Sequence, residues 1–198
     1  AHDQVLFLAK MINDLSGLAR AERADAVEKQ DVDVDAVLES LYKEYAPRVR
    51  EANLLLNQDV AGPIGIVSTN HLYFEEILHN FLTNAIKYTL EGSITIHAEK
   101  TDKGVLIAVR DTGHGISKSD RSKIFDKFYR SEDYRTRETG GTGLGLYVAQ
   151  KLAGKLGPHI NLATRQQHGR PFSVRPPSSS RYLPNLINFT AQQQKKYT

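Results

Sequence analysis

The stretch from Asn70 to Thr89 constrains the fold of this chain more than any other. Phe74, Ile77, Leu78, Phe81, Leu82 and Ala85 recur at steps of three and four, so a helix here carries one apolar stripe that must lie on a core. Its other face is unusual. Asn80, Asn84, Lys87 and Tyr88 fall at i, i+4, i+7 and i+8, which lines up two amides, an ammonium and a phenol. Asn is a mediocre helix former that competes with the backbone for hydrogen bonds, so a merely solvated face would more readily carry Glu, Lys, Gln and Arg. Two readings fit the row. It is a surface helix with incidental amides, or a site where amide oxygens meet a hard cation such as Mg²⁺ and Lys87 meets the phosphates that accompany it.

The gross properties narrow the classes. With 198 residues there is room for one ordinary domain plus an appendage. The net charge of +3, spread among interspersed acids, does not indicate nucleic acid. There are no cysteines, which excludes disulfides and thiolate metal sites and fits a reducing compartment. No apolar run has the length of a membrane span and no signal peptide is evident, so the chain reads as soluble, or as the soluble part of something larger.

Along the chain, Val5, Leu8, Ile12, Leu15 and Ala19, with Met11 and Leu18 beside them, approach a heptad seam. Such a helix needs a partner, and no second one like it follows. Ala21 to Asp31 reads as a linker or helix end. Asp35 is expected to cap a helix over Ala36 to about Glu51 that buries Val37, Leu38, Leu41, Tyr42 and Tyr45, with Pro47 bending it or standing near its end. Strands are expected at Leu54 to Leu56 and Ile64 to Val67, around the Gly62-Pro63 turn. After the central helix, Ser93 to Ala98 and Val105 to Arg110 flank Asp102-Lys103-Gly104 as an antiparallel hairpin, and Ile160 to Ala163 and Phe172 to Val174 look like the last strands. This order predicts an α+β fold, a two-layer α/β sandwich.

Two glycine turns follow. Asp111-Thr112-Gly113-His114-Gly115-Ile116 comes straight after a strand: its glycines let the backbone approach a ligand, and its acid can accept a hydrogen bond, although many tight turns look the same. Gly140-Gly141-Thr142-Gly143-Leu144-Gly145-Leu146 runs into a helical pattern, and a glycine turn at a helix N-terminus suits phosphate because free amides and the helix dipole both point at the anion. It is no Walker loop, since Gly-Lys-Ser/Thr is missing. Between the turns lies a charged connection with Ile124, Phe125 and Phe128 as anchors, of a length typical of lids, binding loops or disorder.

Taken in order, Asn-x-x-x-Asn-Ala-x-Lys-Tyr-Thr, Asp-Thr-Gly-x-Gly-Ile, Ile-Phe-Asp-Lys-Phe-Tyr-Arg and Gly-Thr-Gly-Leu-Gly-Leu resemble the N box, first glycine box, F box and second glycine box of two-component sensor histidine kinases, over roughly residues 32 to 176. The resemblance implies the Bergerat ATP-binding fold of the GHKL superfamily, a mixed sheet covered by about three helices and here preceded by a helix of a dimerisation hairpin. It implies ATP and Mg²⁺ as ligands, with Asn84 the principal metal ligand and Asn80 beside it. Lys87 would contact phosphate and Tyr88 would line the pocket. Asp111 would accept from the adenine amino group, Gly113 and Gly115 would admit the base, and Ile116 and Phe125 would complete that side. Arg130 would reach the phosphates. Gly141, Thr142, Gly143 and Gly145 would cradle them, and Leu144 and Leu146 would close the apolar wall. Asn80, Lys87 and Arg130 would be the residues that position phosphate for transfer.

Superfamily ATPases that hydrolyse carry a glutamate where Asn80 stands, and an amide is no general base, so slow hydrolysis is expected. Glu76, one turn back, reads either as a helper of the helix or of acceptor activation, or as a solvated carboxylate. The acceptor motif, a His followed by an acid and Arg, is not in this sequence. His79 and His114 read as structural or solvent-facing. The resemblance thus implies a catalytic portion: residues 1–30 as part of a dimerisation and phosphotransfer helix with its linker, 31–177 as the ATP-binding domain, and 178–198 as an extension whose Tyr182, Leu183, Leu186, Ile187 and Phe189 either dock or fray. It also implies a bacterial sensor's cytoplasmic portion, membrane-attached and homodimeric when intact, that phosphorylates a histidine on the dimerisation helices and passes the phosphate to a response regulator receiver domain. Two alternatives remain: a GHKL serine kinase of the anti-sigma factor type, and a non-catalytic nucleotide-binding signalling module.

Overall fold

The computed structural model describes residues 2–23, 27–102, 104–117, 119–120, 122–131, 141–156, 160–166 and 172–173. In chain order these form α1 (His2–Glu22), β1 (Gln30–Asp33), α2 (Val34–Glu51), β2 (Leu55–Val60), β3 (Ile66–Thr69), α3 (His71–Tyr88), β4 (Ser93–Thr101), β5 (Gly104–Asp111), α4 (Gly145–Leu156), β6 (Ile160–Gln166) and β7 (Phe172–Ser173). The six stripe residues of α3 are all buried, as their spacing predicts. Asn70 starts this helix: its side-chain oxygen accepts from Tyr73 N at 2.9 Å and satisfies one of the amides that a first turn leaves free.

The expected hairpin is β4 and β5, paired from Ile94↔Asp111 to Thr101↔Gly104. Side chains alternate between sheet faces, so Ile94, Ile96 and Ala98 share one face with Val105, Ile107, Val109 and Asp111. That face packs with α2, α3 and α4 into one core. Asp111 therefore ends the core-side row of its strand. The sheet runs β2-β4-β5-β6-β7, with β2 parallel to β4, β6 parallel to β5, and β7 antiparallel to β6, and a separate ribbon pairs β1 with β3. It is a mixed sheet under helices in an α+β fold, as expected.

Three local expectations are corrected. Asp33, not Asp35, caps α2, and the helix starts at Val34: Asp33 Oδ1 accepts from Ala36 N at 3.2 Å, while the Asp35 carboxylate accepts from Ile64 N at 3.0 Å and Gly65 N at 2.7 Å. Tertiary amides outcompete the local cap. The segment read as a linker or helix end, Ala21 to Asp31, holds the end of α1 and also the first two residues of β1, a strand whose only apolar residue, Val32, is buried. The strands expected at 54–56 and 64–67 are shifted to Leu55–Val60 and Ile66–Thr69. Pro47 lies inside α2, near its end. No helix of the described residues is long and apolar enough to cross a membrane, and the extension 178–198 lies outside the described residues.

Candidate functional site

The polar row of α3 meets the second glycine turn. Asn80 Nδ2 donates to Glu76 O at 2.9 Å, which turns its other amide atom toward α4: a Cβ on Gly145 would stand 2.6 Å from Asn80 Oδ1. Lys87 reaches the same turn, and a Cβ on Gly141 would stand 2.6 Å from Lys87 Nζ. That ammonium also donates to Tyr88 Oη at 3.3 Å and lies 5.0 Å from the Tyr88 ring centre. Asn84, half-buried between Asn80 and Lys87 on the row, makes no side-chain hydrogen bond to the described residues. Next in the chain, Thr89 is buried, and its hydroxyl has no partner among the described residues.

The last turn of α3 also touches the first glycine turn. Gly113 lies against the Tyr88 carbonyl, and Tyr88 and His114 meet edge to face at 6.1 Å. Gly113 N donates to Asp111 Oδ1 at 3.0 Å. Asp111 is buried, and its pKa is raised to about 6, chiefly by loss of water and against the opposing effects of the Gly113 amide and His114. Near pH 6, then, this carboxyl changes charge. Ile116 is half-buried beyond Gly115.

The connection between the turns has an organiser that periodicity does not reveal. Asp120 accepts from Ser131 Oγ at 2.7 Å and from Tyr129 Oη at 2.9 Å, and these hydrogen bonds hold its pKa below the usual carboxylate value. Beside it, Phe125 packs half-buried on the core, and Arg130 is exposed. Phe128 N donates to Gly143 O at 3.1 Å, which ties the aromatic segment to the glycine turn. Gly143 has φ +74°, and a Cβ there would stand 2.6 Å from the Phe128 carbonyl carbon. Only glycine fits. Thr142 Oγ accepts from Leu144 N at 3.3 Å, Leu144 is buried, and Leu146 packs half-buried on the core.

α1 also borders this site, which its heptad-like pattern concealed. Arg20 pairs with Glu76 at 2.8 Å, so Glu76 is not a solvated carboxylate. Asp14 accepts from the Thr142 hydroxyl, and Glu22 pairs with Lys127. His79 is structural, with Tyr45 Oη at 2.9 Å from its Nδ1.

Two glycine turns thus meet one helix face that carries amides and an ammonium, with a buried carboxyl at one turn and a helix N-terminus at the other. Residues 69–180 match the family described as histidine kinase-, DNA gyrase B-, and HSP90-like ATPase. The chain belongs to this family. Within it, the similarity is to sensor histidine kinases. The chain is 31% identical to sensor histidine kinase AtsR of Burkholderia thailandensis over 175 residues, which cover 86% of this chain and 29% of that protein. It is 30% identical to sensor-like histidine kinase SenX3 of Mycolicibacterium smegmatis over 172 residues, covering 86% and 44%. The chain therefore spans less than half the length of either relative. Among solved structures, full-length ShkA in complex with AMPPNP superposes with a TM-score of 0.65 at 29% identity, over 75% of this chain and 31% of that one. The Acinetobacter baumannii histidine kinase AdeS gives 0.63 at 25% identity, over 81% and 72%. This histidine kinase-type ATPase domain has the fold expected of it.

Proposed function

We propose that this chain binds Mg²⁺-ATP and delivers the γ-phosphate to a histidine on the dimerisation helices of a sensor histidine kinase, from which it passes to a response regulator aspartate. The observation that carries the proposal is the approach of Asn80 and Lys87 to the glycine turn, where Cβ atoms on Gly145 and Gly141 would leave each of them only 2.6 Å. This brings an ammonium and backbone amides to one place at the N-terminus of α4, a setting suited to a triphosphate. The residues fit the nucleotide in two further ways: Asp111 offers a buried acceptor for an adenine amino group, and the Thr89 hydroxyl has no partner among the described residues.

Mg²⁺ would be held by Asn84, whose half-buried amide stands on the same face of α3 as Lys87, with Asn80 beside it and the phosphates completing the set, since amide oxygens suit a hard cation. When bound, the ion supplies neutralisation of phosphate charge. Lys87 and Arg130 position the phosphates, Gly141, Thr142, Gly143 and Gly145 cradle them, and Leu144 and Leu146 wall the site. Tyr88, Gly113, Gly115, Ile116 and Phe125 enclose the base. In the transfer, the bond from the γ-phosphorus to the bridging oxygen breaks as a bond to an imidazole nitrogen forms, and ADP leaves. Water is a poor competitor. Asn80 cannot take its proton, and the Glu76 carboxylate is held by Arg20 at 2.8 Å.

On this reading residues 1–30 belong to a dimerisation helix and 31–177 to the catalytic domain. The exposed side chains Val5, Leu8, Ile12 and Leu15 supply a seam for homodimerisation in a membrane-attached sensor. Asn84→Ala tests the metal assignment. Affinity for ATP with Mg²⁺ should fall on the order of tenfold or more, while affinity in EDTA stays as in the wild type. Undiminished Mg²⁺-dependent binding by a titrated, folded variant would remove Asn84 as the ligand.

A further inference from the structure

Asp14 and Thr142 support an inference that rests on the nucleotide-site reading and goes beyond it. α1 presents two faces. Val5, Leu8, Ile12 and Leu15 are exposed on one. On the other, Asp14, Gly17, Leu18 and Ala21 follow i, i+3, i+4, i+7 and meet the domain: Ala21 is buried, Leu18 packs on the core, and a Cβ on Gly17 would stand 3.3 Å from Val148 Cγ1. Polar contacts hold this docking from both sides. Arg20 pairs with Glu76 at 2.8 Å, Glu22 pairs with Lys127 and accepts from Tyr147 Oη at 3.3 Å, and Lys155 Nζ donates to Arg20 O at 3.2 Å.

Asp14 is the contact that reaches the glycine turn. Its carboxylate accepts the Thr142 hydroxyl proton, and the oxygen of that hydroxyl accepts Leu144 N at 3.3 Å. Leu144 directly precedes α4, so its amide is among those an anion at this helix N-terminus would use. With α1 docked, that amide is capped from within the chain. A negative charge also stands one hydroxyl away from it, where it opposes an arriving phosphate.

We propose that the C-terminal half of α1 is an autoinhibitory strap: through Thr142, Asp14 holds the phosphate-binding turn in a self-capped state, so that triphosphate binding and α1 docking compete. The competition is reciprocal. Bound nucleotide loosens α1 by the same factor by which docked α1 weakens the nucleotide. Loss of the Asp14 charge removes the repulsion, and loss of the whole carboxyl also frees the Thr142 hydroxyl to turn toward phosphate.

The test compares ATP titrations of the wild-type chain, Asp14→Asn and Asp14→Ala, together with amide hydrogen exchange of residues 14–22 with and without saturating ATP. The expected result is affinity tightened by about three- to tenfold in both variants, the range of one charge acting at a partly buried helix terminus, and faster exchange of 14–22 in the wild type when ATP is bound. Equal or weaker affinity in the variants, with the wild type binding ATP, overturns the strap and leaves the nucleotide site standing. So does wild-type exchange that does not respond to bound ATP. Failure of all three chains to bind ATP overturns the nucleotide-site reading, and the strap with it.

Discussion

Replacement of Gly143 by alanine should weaken ATP binding by about a hundredfold while leaving a cooperative thermal transition. An L-residue at φ +74° costs about 1–2 kcal/mol by itself. The added methyl group also meets backbone rather than a side chain that could rotate away, since the Phe128 carbonyl carbon is 2.6 Å and the Tyr129 oxygen 2.8 Å from its position. The structure can relieve this only by parting the aromatic segment from the glycine turn, which breaks the hydrogen bond from Phe128 N to Gly143 O. The total, on the order of 3 kcal/mol, falls on the arrangement that binds nucleotide, and a competent state that is depopulated lowers apparent affinity by the same factor. The buried residues of α3, β4 and β5 do not depend on that hydrogen bond, so melting should remain cooperative. Nucleotide titration and calorimetric melting of the variant check both halves, and unchanged affinity would show that the joint between these segments does not form the site.

Asp111→Asn should move binding and stability in opposite directions. A hydrogen bond to an ionised acceptor contributes roughly 1.5–3 kcal/mol, so loss of the charge should weaken ATP binding by about ten- to a hundredfold. Stability follows from the raised pKa. Folded Asp111 takes up its proton near pH 6 and the unfolded group near 3.8, so the folded state is favoured most below 3.8 and loses that advantage as pH rises through about 6. A shift of this size is worth at most about 3 kcal/mol at neutral pH. Asn carries no charge to bury, so the variant should melt higher than the wild type at pH 7.5, and the gap should close by pH 4. Wild-type affinity for ATP should rise through pH 6, and the part of that rise due to Asp111 should be missing from the variant. A variant that binds as tightly as the wild type, or whose stability gap does not change with pH, would separate Asp111 from the base.

Much of this was legible in the sequence because it is local. The α3 stripe, its polar row, the hairpin and both glycine turns are set by spacing within one element or between neighbours in the chain, and the structure has each of them. The features that eluded sequence reasoning depend on distant partners. Gln30–Asp33 has one apolar residue in four and becomes a strand only through its pairing with Ile66–Thr69. The cap expected at Asp35 falls to Asp33, because the Asp35 carboxylate is taken by the amides of Ile64 and Gly65, about thirty residues away. In α1 the heptad seam dominates the pattern, whereas the docking face is Asp14, Gly17, Leu18 and Ala21, of which only Leu18 is a large apolar residue. Asp120 lies in a charged connection where one acid looks like another until Tyr129 and Ser131 donate to it.

On the proposed reading, the face of α3 and the two glycine turns form a Mg²⁺-ATP site that keeps its γ-phosphate for transfer. Titration calorimetry of the chain with ATP, with and without Mg²⁺, followed by measurement of phosphate released in the cell, tests it most directly. Saturable binding that Mg²⁺ strengthens, with the nucleotide recovered intact, is the expected result. Absence of binding in both conditions, or steady release of phosphate at the pace of a hydrolysing ATPase, would contradict it.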